Sequence, residues 1–421
     1  MFQKIAASFV MLLMIPLRPQ SQTPPNYDES RVGTYTLPEL LVTDEGKTIR
    51  TAKEWEQLQR PALLKKFTTQ VYGRIPGRPE NFHFEQTSQD ENALEGKAIR
   101  KEITLYFTEG NQGPGLHVLL YLPKKASGPL PVFVGLNFQG NHSTQADPGI
   151  TITDNWKSLH PGNLDPDRGG QARRWPVEEI LASGYGLATA YYEELEPDQP
   201  EGWRKGIRNT LEQELEIKPH EWGAIGAWAW GLSRIMDYLD AEPAVNAKQV
   251  VLTGHSRLGK AALWAGVNDQ RFAIVVSNDS GEGGAALSRR NFGETILRIN
   301  TAFPHWFIDT YKTYNHSVDQ LPVDQHMLLA LVAPRPLYVA SASEDLWADP
   351  RGEFLSAKHA EPAYALYGKK GLMTEHQPPA DQPVGETIAY HLRTGIHDIL
   401  LYDWQQYLRF ANRHFKYQGA K

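Results

Sequence analysis

The segment Val250-Val-Leu-Thr-Gly254-His255-Ser256-Arg257-Leu258-Gly259-Lys260-Ala-Ala-Leu-Trp264 runs from β-branched residues through a glycine into a helical pattern. It reads as a strand, a tight turn and a helix, with Ser256 at the turn. A serine in that position stands at the carboxyl edge of a sheet, in strained backbone, beside the N-terminus of the following helix. Small residues must flank it, because the turn brings strand and helix backbones together. Gly254 lies two residues before Ser256, as in G-x-S-x-G, whereas the second glycine, Gly259, falls at +3 instead of +2. Taken alone, the segment also fits an ordinary helix N-cap, a position that serine favours.

Outward from this turn, strand and helix patterns alternate. Strands are expected at 101–107, 117–123, 131–138, 184–192, 249–253, 272–277 and 335–341. The run Pro131-Val-Phe-Val-Gly-Leu-Asn-Phe138 is almost continuously apolar, which suits a strand covered on both faces. Apolar residues at spacings of three and four predict a helix over 222–239. Further helices are expected at 52–72, 257–266 and 398–416. Residues 139–178, rich in Gly, Asn, Asp and Pro, read as a long surface excursion. The pattern predicts an α/β fold of the α/β-hydrolase type, a three-layer αβα sandwich around a mostly parallel sheet with long loop insertions.

A serine nucleophile needs a base, and the base needs an acid to orient it. In α/β hydrolases the chain order is serine, acid, histidine. Tyr338-Val-Ala-Ser-Ala-Ser-Glu344-Asp345-Leu-Trp347 places an acid just past a strand, and Gly395-Ile-His397-Asp398 places a histidine before the final helix. Ser256, Asp345 and His397 therefore stand in the expected order. A second candidate acid is Asp279, in Ser277-Asn-Asp-Ser-Gly-Glu-Gly-Gly284 after the next strand. That segment reads equally as a glycine-rich turn with solvated acids.

Composition narrows the classes further. The 421 residues are 41% hydrophobic, enough for a substantial core, and the net charge of −6 argues against a nucleic-acid partner. With no cysteine, disulfides, thiolate metal sites and a cysteine nucleophile are excluded. Mean hydropathy of −0.47 excludes a polytopic membrane protein. Lys4 precedes an apolar run over 5–17. That run, roughly 13 residues, is too short to span a bilayer and fits a signal peptide over 1–21, the alternative being an N-terminal core helix. A secreted or periplasmic protein is expected, without a lipobox and with no membrane span after signal removal. Residues 22–95 are read as an N-terminal segment packed on a catalytic domain over 96–421, one domain overall.

The chain resembles the bacterial glucuronoyl esterases of carbohydrate esterase family 15. Their G-x-S-R-x-G-K signature stands here as Gly254-His-Ser-Arg-Leu-Gly-Lys260. The likeness extends over about 27–415 and includes Asn26-Tyr27-Asp28-Glu29, Gln70-Val-Tyr-Gly73, Leu136-Asn-Phe-Gln-Gly-Asn-His142, Arg290-Asn-Phe-Gly-Glu-Thr295, Phe303-Pro-His-Trp306 and Gly395-Ile-His397. It implies hydrolysis of 4-O-methyl-glucuronoyl esters of glucuronoxylan, lignin-carbohydrate bonds among them, through a Ser-His-Asp triad and an acyl-enzyme. By resemblance Ser256 is the nucleophile, His397 the base, and Asp345 or Asp279 the acid. Arg257 is the oxyanion arginine, Lys260 a ligand of sugar hydroxyls, and Glu294 and Trp347 uronate contacts. Fungal relatives place Cys where His255 stands and Glu where Asp279 stands, a difference of one methylene that favours Asp345. No metal or organic cofactor is expected, and a monomer is favoured. The other readings are an acetylxylan esterase or general carboxylesterase on the same fold, and a non-catalytic carbohydrate-binding relative.

Overall fold

All eight residues of Leu130–Asn137 are buried, as the continuous apolar run requires. This strand lies inside a ten-stranded sheet seen in the computed structural model, which describes residues 24–417 apart from 127, 164 and 165. The export segment expected over 1–21 lies outside the described residues.

The strands are β1 (His83–Asn92), β2 (Ala98–Tyr106), β3 (Leu116–Pro123), β4 (Leu130–Asn137), β5 (Gly186–Tyr191), β6 (Val245–His255), β7 (Ile274–Asn278), β8 (Leu337–Ala342), β9 (Val384–Gly385) and β10 (Ile388–Arg393). Their order across the sheet is β1-β2-β3-β5-β4-β6-β7-β8-β10-β9. The stretch from β5 to β10 is parallel throughout, and antiparallel strands close both edges. The fold is the expected α/β hydrolase.

Alternation along the strands builds two cores. In β7, Val275 belongs to one and Ile274 and Val276 to the other. Helices α1 (Ala224–Ala241), α2 (Arg257–Asn268) and α3 (Pro350–Ala365) supply the first, and α4 (Leu401–Phe415) packs Trp404, Tyr407 and Phe410 into the second. Trp55, Trp222, Trp228, Trp230, Trp264 and Trp404 are fully buried, so large aromatics do the filling that disulfides do in some exported proteins. Residues 52–72 form one helical run with wider π turns over Trp55–Gln59 and Thr68–Tyr72. The run lays Tyr72 flat on Trp264 of α2, ring centroids 4.5 Å apart.

Several parts differ from expectation, and β1, β9, β10 and helix α3 fall outside the expected elements. β1 was missed because its sequence is polar and mostly exposed, with no apolar alternation. β10 was missed because His391 and Arg393 occupy buried positions; both bond to the Asp403 carboxylate, at 2.8 and 3.0 Å. The excursion over 139–178 is not confined to the surface: Asn141, His142, Ser143, Thr144, Ile150 and Trp156 are buried.

The elbow explains its own sequence. A Cβ on Gly254 would lie 2.1 Å from the Leu258 carbonyl oxygen, so no side chain fits where β6 meets α2. Gly259 faces back: a Cβ there would lie 3.0 Å from the Gly254 oxygen and from Ser280 Cβ. The second glycine is needed at +3 because that helix position abuts both strand ends.

Behind the sheet edge, Glu353 of α3 accepts hydrogen bonds from Ser341 Oγ (2.6 Å) and the Gly281 N–H (3.0 Å). Burial pushes its carboxyl up to about 8. Folded protein then holds a proton that the unfolded chain has released, and this contribution to stability is lost as pH rises from the ordinary carboxylate range through about 8.

Gly254→Ala is expected to destabilise the fold by about 3 kcal/mol or more, read as a lower urea midpoint, because the intruding Cβ meets backbone. Glu353→Gln is expected to flatten the fall in melting temperature between roughly pH 5 and 8. An unchanged slope would show that other buried acids carry it.

Candidate active site

Ser256 sits at the N-cap of α2 with φ 57° and ψ −131°, a strained left-handed geometry that the flanking glycines make possible. Its backbone N–H is anchored on the Asn278 oxygen at 2.9 Å, and its carbonyl accepts from the Gly259 N–H at 2.8 Å. Its hydroxyl makes no capping bond to the helix. The plain N-cap reading therefore fails, since the one contact that would define it is missing.

His397 lies in the loop after β10 and Asp345 in the turn after β8. His397 Nδ1 donates to Asp345 Oδ2 at 2.5 Å. The Asp345 side chain is 4% exposed and that of His397 40% exposed, so the acid is desolvated while the ring meets solvent. The two loops are pinned together. The Ser343 N–H reaches the Arg393 oxygen and the Glu344 N–H the Gly395 oxygen, each at 2.8 Å. Arg393 holds the far side, donating to the Ile396 and Asp398 carbonyls.

Asp279 is buried in the same cluster, and one ligand atom from each of Asp279, Asp345 and His397 falls within a 4.8 Å sphere of mutual distance. Neither Asp279 oxygen has a hydrogen-bond partner among the described residues. Burial, then the nearby Glu353 and Asp345 carboxyls, raises its pKa far above the usual range. Burial therefore works against a fixed negative charge on Asp279, whereas Asp345 already engages His397 Nδ1.

Arg257 projects from the first turn of α2 into a cage of Phe138, Phe303 and Trp306, its guanidinium carbon 5.9, 5.3 and 4.8 Å from the ring centroids. One Nη is paired with Asp198. Asp198 also accepts from Trp306 Nε1 at 2.7 Å, His305 Nε2 at 2.8 Å and Tyr192 Oη at 3.0 Å. Burial alone would raise its pKa, but these donors and the Arg257 charge hold it down at about 2. Asp198 went unnoticed in the sequence; it follows β5 within a run of acids, with no motif to mark it.

Lys260, one turn further along α2, is buried. Its Nζ donates to the Ser280 oxygen at 2.6 Å, stands 3.9 Å from Glu294 Oε2 and lies 5.6 Å from the Trp306 centroid. Burial lowers its pKa, and burial raises that of Glu294. The Glu294 N–H donates to the Trp347 oxygen at 2.9 Å, while Trp347 itself is 40% exposed. The structure thus gathers all the predicted residues at the carboxyl ends of β6, β7, β8 and β10. Arg257 and Lys260 both approach the Trp306 ring, and the loops of the His397–Asp345 pair follow the adjacent strands β10 and β8.

A family model for fungal glucuronyl esterases matches residues 214–368. The chain is 44% identical over 399 residues to carbohydrate esterase MZ0003 from an unknown prokaryotic organism, covering 92% of each chain. Among solved structures, the glucuronoyl esterase from Solibacter usitatus is 48% identical, with a TM-score of 0.87 over 92% of this chain and 100% of that one. A promiscuous family 15 esterase from a marine bacterial metagenome is 44% identical, with a TM-score of 0.85 over 93% and 100%. On this evidence of sequence and fold, the chain belongs to carbohydrate esterase family 15, the glucuronoyl esterases, and is a carboxylic ester hydrolase.

Proposed function

We propose that this protein hydrolyses esters of (4-O-methyl-)glucuronic acid carried on glucuronoxylan, including lignin-carbohydrate esters, through an acyl-enzyme on Ser256. The observation that carries this reading is the 2.5 Å bond from His397 Nδ1 to buried Asp345, beside a strained serine whose hydroxyl does not cap its helix. With Nδ1–H committed to Asp345, the free Nε2 is the basic nitrogen. It takes the Ser256 proton as Oγ attacks the ester carbonyl. Asp345 fixes the tautomer and stabilises the imidazolium. The oxyanion faces the Arg257 N–H at the first turn of α2 and the Arg257 guanidinium; one such donor contributes about 2.7–4 kcal/mol to transition-state binding. His397 then returns the proton to the departing alcohol. Water, activated by the same ring, releases the uronic acid.

Arg257 and Lys260 distinguish a uronate reading from an acetyl one. An acetyl group offers nothing for a buried ammonium, whereas sugar hydroxyls offer acceptors to Lys260 and donors to Glu294. A broader ester scope is the second reading, favoured by the promiscuous metagenomic relative at 44% identity. The described residues are read as one catalytic domain, whose sheet takes in β1, so a boundary at 95/96 would cut the β1–β2 pair. Export follows from the apolar run near the N-terminus. No described helix is long and apolar enough to cross a membrane.

Ser256→Ala is expected to lower kcat on benzyl glucuronate by at least about 10⁴-fold without changing the melting temperature. Asp345→Asn is expected to cost at least about a hundredfold and Asp279→Asn less than about tenfold; the reverse ranking would exchange their roles. Lys260→Ala should weaken glucuronate esters while sparing p-nitrophenyl acetate. Equal losses on both would favour the general esterase.

A further inference from the structure

His255 precedes Ser256, and its ring lies against His397. The two ring centroids are 4.6 Å apart, with the planes inclined at 40°. His255 is buried, 6% exposed, and its other neighbours hold it in place. Phe138 meets its ring edge-on at 6.1 Å. Asn278 donates its Nδ2 to Tyr407 Oη at 3.0 Å, which turns the amide oxygen toward His255. That oxygen stands 2.6 Å from His255 Nδ1 and needs a donor, so the proton of this imidazole resides on Nδ1.

We infer that His255 is a positioning residue for His397: a locked, neutral imidazole whose π face supports the catalytic ring and favours its protonated form. The inference rests on the reading of His397 as the base. A neutral ring face attracts an imidazolium, while a second imidazolium at this distance would repel it. The surroundings keep His255 neutral. Burial, then His397 itself, with Arg174 and Arg393 beyond, drives its pKa well below the ordinary histidine value. The Asp279 carboxyl stands 4.0 Å from His255 Nδ1, and burial works against its charged form as well. From the other side His397 faces Asp345, Asp279 and, further off, Glu294.

The test compares two variants that fill the same buried space. His255→Leu removes the π face, and His255→Phe keeps one without a titratable nitrogen. His255→Leu is expected to lower kcat on benzyl glucuronate about tenfold or more, with KM within about twofold. It should also move the acid limb of the kcat/KM pH profile to lower pH by about half a unit or more. His255→Phe is expected to recover most of both effects. Equal behaviour of the two variants, or an unmoved acid limb, overturns the inference. Should either variant fail to fold, ¹⁵N-histidine spectra of the wild-type enzyme decide instead. The His255 ring is expected to keep a proton on Nδ1 alone from about pH 5 to 9. A His255 ring that titrates there, or carries its proton on Nε2, overturns it. His397→Ala serves as the control, because an active His397→Ala enzyme refutes the base assignment and leaves His255 aside.

Discussion

Everything at the active edge depends on how closely the backbone of β6 approaches the first turn of α2. The Leu258 oxygen occupies the place where a side chain of Gly254 would stand, and Gly259 repeats the constraint from the helix side. This approach sets the positive φ of Ser256 and brings its hydroxyl off the helix axis. It also points Arg257 and Lys260 to the same side, three residues apart and so on one helix face. Ser256, Arg257 and Lys260 thus owe their placement to one turn.

Electrostatics then divides the acids around that turn. Asp345 has a hydrogen-bonding histidine, Asp198 has four donors, and Asp279 has none among the described residues. All three are buried, so the difference lies in their partners and not in their depth. Burial disfavours the charged form of Asp279, whose oxygens have no donor among the described residues, while donors and the Arg257 charge hold the Asp198 carboxyl low.

The elbow, the order of Ser256, Asp345 and His397, and the buried strand at β4 were legible in the sequence because each has a local signature. β10 was not, although it carries the loop of His397. Its buried His391 and Arg393 break the apolar pattern, and the core tolerates them because Asp403, Tyr338 and the backbone carbonyls that Arg393 reaches are their partners. Asp198 was equally invisible, since its role is defined by Arg257, His305 and Trp306, far away in the chain. His255 stood out only as a departure from the fungal pattern, and its tilted contact with His397 needed coordinates. Motifs record what one segment must do; long-range ion pairs and ring contacts are properties of the closed fold.

The pinned loops after β8 and β10 have a mechanical consequence. Asp345 and His397 ride on one piece of structure, tied by the backbone bonds at Ser343 and Glu344. Ser256 and Arg257 ride on another, the β6–α2 elbow. Motion of the sheet between these pieces is resisted within each by its own backbone bonds. The softer coordinate is the gap between His397 and Ser256, the distance that a proton would have to cross under the proposed mechanism.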